Sequence, residues 1–83
     1  MDINDFLRKV ENAIENVKPH SLSADLDFQK NLEAWDSLAA LTLVAMIDSE
    51  YQVVLTGEDL LSCKSFGELF EKVVEKRQQN KTR

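Results

Sequence analysis

Ser37 is the residue of this chain best placed to do chemistry. It follows Trp35-Asp36 and opens a long apolar run, with an irregular polar stretch behind it. A hydroxyl at a helix N-terminus lies among unpaired N–H groups and at the positive end of the helix dipole. Such a position suits a phosphate ester, because those N–H groups stabilise an anion. It does not suit a self-sufficient nucleophile, which needs a base within hydrogen-bond reach. The only histidine, His20, falls in the irregular stretch after Pro19, and no Gly-x-Ser-x-Gly elbow surrounds Ser37. A compact serine hydrolase is therefore a poor reading. One histidine and one cysteine, Cys63, also argue against a metal site. The structural alternative for Ser37 is a simple N-cap.

The elements that must position Ser37 follow from hydrophobic spacing. Ile3, Phe6, Leu7, Val10, Ala13, Ile14 and Val17 step by three and four, which predicts a helix over 3–17. Asp2 or Asn4 is placed to cap it, and Pro19 lies just past its end. Residues 18–35 have no clean period, yet Leu22, Leu26, Phe28 and Leu32 predict an ordered loop packed on the core. A loop of that length in a small domain is usually functional. The next helix is predicted over 37–51, with Ala40, Leu43, Val44, Ile47 and Tyr51 as its core stripe. Leu38, Leu41, Ala45 and Asp48 form a second stripe, read as a docking face, since a small domain cannot bury a whole helix circumference. Thr56-Gly57-Glu58-Asp59 starts a short helical turn through Leu61. Ser65-Phe66-Gly67-Glu68 reads as the better capping box, opening a last helix through Val74.

Composition agrees with an all-α domain. The 83 residues are 43% hydrophobic and only 7% aromatic, and two Gly with one Pro are too few for a turn-rich β fold. One domain is expected over 1–76, with 77–83 as a polar basic tail that frays. Charge is unevenly spread: residues 1–35 carry −3, residues 36–63 carry five acids and no Lys or Arg, and residues 64–83 carry +3. The anionic middle suits a basic protein partner and disfavours nucleic acid. No apolar run approaches ~18 residues, so no stable membrane insertion is expected. The acidic start and the lone cysteine suggest a reducing, cytoplasmic setting.

The order helix, long loop, Asp-Ser-Leu helix, short helix, helix resembles the acyl carrier protein family between about Ile3 and Val74. The resemblance rests on Asp36-Ser37-Leu38 with Leu41, Leu43, Val44 and Ile47, then Glu50-Tyr51, Val53, Leu55, Glu58-Asp59 and Gly67. It implies a four-helix bundle of acyl-carrier type, three main helices plus one short one. It also implies 4'-phosphopantetheine attached covalently to Ser37, with Asp36 helping to place a metal or a basic partner. Leu38, Leu41, Ala45, Asp48, Glu50 and Trp35 are the implied partner contacts. Ala40, Val44, Leu60, Leu61 and Phe66 are the implied lining of a cargo shelter.

Ala39, Thr42 and Ser49 stand where the family often has acids, Trp35 stands where fatty-acid carriers have a small residue, and the connection before it is one residue longer. These departures point to a specialised carrier rather than a housekeeping one. Implied partners are a phosphopantetheinyl transferase, a loading ligase or synthase, and a downstream acyltransferase or condensing enzyme, acting on a monomeric, non-catalytic carrier. The alternative is a small helical interaction module without a prosthetic group.

Overall fold

A computed structural model describes residues 2–14, 17–18, 20–33 and 35–81, the last three by backbone alone. Pro19, expected just past the first helix, and Ala34, Thr82 and Arg83 lie outside the described residues. The described chain is all-helical, in the order α1 (Ile3–Ala13), α2 (Phe28–Asn31), α3 (Ser37–Tyr51), α4 (Gly57–Leu61) and α5 (Phe66–Lys81). Two of the five are single turns, one more than the sequence suggested.

α1, α3 and α5 pack pairwise around one core. Phe6 and Val10 of α1, Leu43 and Ile47 of α3, and Leu69 and Val73 of α5 are fully buried in it. Val53 and Leu55 bring the α3–α4 connection into the same core. The buried residues of α3 are Ala39, Leu43, Ile47 and Tyr51, an unbroken ladder of four-residue steps. Ala40 and Val44, expected in that stripe, are half-buried one sector round the helix. Gly67 is also explained by packing: its N–H donates to the Ala24 carbonyl at 2.7 Å, and a Cβ there would lie 3.1 Å from that oxygen. The long loop is drawn against α5 at a spot where only hydrogen fits comfortably.

Three boundaries differ from expectation. α1 ends at Ala13 rather than Val17, because Ile14 is already extended and closes the last turn with its N–H on Val10 O. The chain turns early because buried Glu11 takes up the loop: its carboxylate accepts the N–H groups of His20 (3.0 Å) and Leu22 (3.2 Å) and pairs with Arg8 at 3.2 Å. α2 interrupts what the sequence left as irregular, with the Asp27 carboxylate accepting the Lys30 N–H. α5 continues to Lys81, so the basic stretch expected to fray is helical in backbone as far as that residue.

The capping roles are also reversed. Thr56 and Asp59 form the complete reciprocal box. At α5 Ser65 accepts the Glu68 N–H at 3.2 Å, but the Glu68 carboxylate meets the Lys64 N–H at 3.5 Å instead of returning to Ser65.

Candidate functional site

The start of α3 shows which side chain caps it. Asp36 is the N-cap, extended in backbone, and its carboxylate accepts the Ala39 N–H at 2.8 Å. Ser37 is the first helical residue and is exposed, and among the described residues its hydroxyl has no hydrogen-bond partner. The cap is therefore supplied by the neighbour, and esterifying Ser37 would cost the helix none of its end hydrogen bonds. His20 is engaged elsewhere, its ring against the Arg8 guanidinium and its N–H on Glu11.

Beside Ser37 lies an open, mainly apolar groove of about 690 Å³. Trp35, Asp36 and Ser37 line it at the head of α3, and Ala40, Leu41 and Val44 continue it along the helix. The facing wall is Leu55, Gly57, Leu60 and Leu61. From Ser37 to Val44 the groove follows α3 for roughly 10 Å, at about 1.5 Å per residue. Its size is that of small-molecule sites rather than of a lone water. Four of the five residues expected to shelter cargo line it. Phe66 does not, because it is fully buried and stacked on Phe28 at 4.6 Å. Leu55 and Gly57 also line it, though not expected there, since the apolar run Val53-Val54-Leu55 carries no helical period.

The second stripe of α3 faces solvent. Leu38 and Leu41 are 70% and 68% exposed, with Ala45 and Asp48 exposed beyond them. Leu61 on α4 is equally bare at 70%. Glu50 stands apart from this stripe, 3.7 Å from Lys9 of α1. Trp35 is half-buried, meeting Phe28 edge-on at 4.7 Å while lining the groove, so it both anchors the loop and forms a wall.

Of the five acids in the anionic segment, Asp59 is neutralised by Lys76 (3.1 Å) and Lys72 (3.8 Å) of α5. The Thr56 N–H above all, and Lys76 after it, hold its carboxyl down at about 2. Asp48 and Glu58 have no ion pair among the described residues, so the field around Leu38, Leu41 and Leu61 remains negative.

Cys63 is buried, and burial raises its thiol pKa, which keeps it a poor thiolate at neutral pH. Among the described residues no cluster of His, Cys, Asp and Glu is arranged to hold a metal ion, and no helix is long and apolar enough to cross a membrane.

Comparison with known families matches the phosphopantetheine attachment site over residues 5–73. Neither the curated proteins nor the solved structures yielded a match.

Proposed function

The chain belongs to the phosphopantetheine attachment-site family, and from that premise we propose a carrier protein that takes the group on Ser37 and presents its cargo to partner enzymes. One observation carries the choice of residue. At the head of α3 Asp36 does the capping, which leaves the exposed Ser37 hydroxyl without a partner among the described residues, beside an apolar groove.

These residues fit a phosphopantetheinyl group. The first-turn N–H groups of α3 favour a phosphate on Ser37 Oγ. Ala40, Val44 and Leu60 offer apolar surface alongside it. When bound, the group supplies a terminal thiol that holds acyl or aminoacyl cargo as a thioester.

The chain's own part is to be modified and recognised. Ser37 Oγ forms the new ester bond to the pantetheine-side phosphorus of coenzyme A as the pyrophosphate P–O bond breaks and adenosine 3',5'-bisphosphate departs. The Ser37 proton passes to a base of the transferase, since among the described residues no base contacts it. Leu38 and Leu41, bare near the head of the helix, fill apolar pockets of that enzyme, while Asp36 and Asp48 meet its basic groups. The domain itself makes no cargo bonds, and buried Cys63 does not compete for the cargo. Trp35 and the missing acids at Ala39, Thr42 and Ser49 favour a dedicated pathway in the cytoplasm, served by a loading ligase or synthase and an acyltransferase or condensing enzyme.

Intact mass after incubation with coenzyme A, Mg²⁺ and a broad-specificity phosphopantetheinyl transferase tests this reading. A gain of one phosphopantetheinyl group is expected. An unchanged mass in a chain that remains helical would favour a bare interaction module.

A further inference from the structure

The long connection between α1 and α3 carries one helical turn, α2, which touches both walls of the groove. Phe28 is fully buried between Phe66, stacked at 4.6 Å, and Trp35, edge-on at 4.7 Å. Trp35 is the wall beside Ser37. The adjacent residue, Gln29, turns the other way. Its side-chain amide nitrogen donates to the carbonyl oxygens of Leu60 (3.2 Å), Leu61 (3.1 Å) and Cys63 (2.6 Å). Those carbonyls belong to the end of α4 and the turn that follows, and Leu60 and Leu61 are the facing wall.

α4 is five residues long, too short to be stable through its own hydrogen bonds. Lys72 and Lys76 hold its middle to α5 through Asp59, and Gln29 holds its C-terminal end. We infer that Gln29 is a positioning residue whose amide clasps the end of α4, so that α2 fixes the spacing of the groove walls and thereby the length of cargo the groove admits. The inference rests on the carrier reading of Ser37 and goes beyond it, since that reading needs only the hydroxyl.

The chemistry of the clasp dictates the variants. All three partners are acceptors, so the side chain must donate. Gln29→Glu places an acceptor against three carbonyl oxygens, Gln29→Met keeps the length without a donor, and Gln29→Lys restores both reach and donors. Gln29 is only half-buried, so Lys and Met are accommodated without opening a core cavity.

Two measurements on the full chain decide the matter. The first is amide hydrogen exchange by NMR before any loading. Exchange over 58–63 should quicken by about tenfold in the Glu and Met variants and stay near wild type in the Lys variant. The second loads Ser37 with a series of saturated acyl chains of increasing length and reads the melting temperature of each. Wild type and Gln29→Lys should share one length of greatest stabilisation, and Gln29→Met should move it to longer chains.

Unchanged exchange in Gln29→Met overturns the clasp. Quicker exchange with the same preferred length also overturns the inference, because α4 would then be held for stability alone. Should Gln29→Glu unfold, the Met and Lys variants still decide. A wild type that accepts no cofactor defeats the carrier reading, and the cargo inference with it; a loaded wild type with indifferent variants defeats the inference alone.

Discussion

Asp36 has two separable jobs, and replacing it with Asn or with Ala pulls them apart. Its carboxylate accepts the Ala39 N–H at 2.8 Å, which makes it the N-cap of the longest helix touching the site. Asn caps about as well as Asp, whereas Ala removes the acceptor at a cost of about 1 kcal/mol, within a range of roughly 0.5–2. Asp36→Asn loses only the charge–dipole term, about 0.3 kcal/mol at an exposed site. In a domain of this size 1 kcal/mol corresponds to about 4–8 °C in melting temperature. Thermal melts should therefore place Asp36→Ala several degrees below wild type and Asp36→Asn close to it.

Loading kinetics should rank the same variants differently. If the carboxylate also meets a basic group of the transferase, both variants lose a charge-assisted contact of about 1.5–3 kcal/mol, roughly 10–100-fold in kcat/KM. Equal melting temperatures for Asn and Ala would refute the capping argument. Wild-type loading of Asp36→Asn would refute the partner role and leave Asp36 as a cap alone.

Other outcomes follow from the same geometry. Leu41→Lys should leave stability within about 0.5 kcal/mol, because the side chain is already 68% exposed, yet slow loading by the transferase. Leu43→Ala, two residues on and fully buried, should instead cost about 2–5 kcal/mol by chemical denaturation. The carboxyl of Asp59 is held down to about 2 in the folded chain, so its stabilisation is complete above its ordinary value of 3.8 and is lost as pH falls toward 2. Asp59→Asn should flatten that acid limb and remove about 1–2 kcal/mol near neutral pH, as read from melts across the range. Glu11→Gln keeps one acceptor where two backbone N–H groups need one each, and should cost about 1–3 kcal/mol while leaving the rate of Ser37 loading unchanged.

The sequence was most legible where periodicity and burial coincide. α3 runs from Ser37 to Tyr51 as its apolar spacing requires, and its second stripe, Leu38 and Leu41, is exposed as a helix with two apolar faces demands. The same spacing misled at the end of α1. Val17 falls in register with Ile14 yet lies outside the helix, half-buried against the core, because a buried carboxylate one turn earlier draws the chain away. α2 is too short to show a period; its only local signal is Asp27 ahead of Phe28. The resemblance implied Phe66 as groove lining, but its ring is committed to Phe28 in the core. The amide of Gln29 was out of reach altogether, as its three acceptors lie more than thirty residues away.

The most direct test of the account is the position of the cofactor, read by fragmentation mass spectrometry of chain loaded in vitro. The expected spectrum places a single phosphopantetheinyl group on Ser37, and Ser37→Ala, with the Asp36 cap intact and the helix retained, takes none. A group found on Ser49 or any other residue, or uptake undiminished in Ser37→Ala, would contradict the assignment of the free hydroxyl at the head of α3 as the carrier's point of attachment.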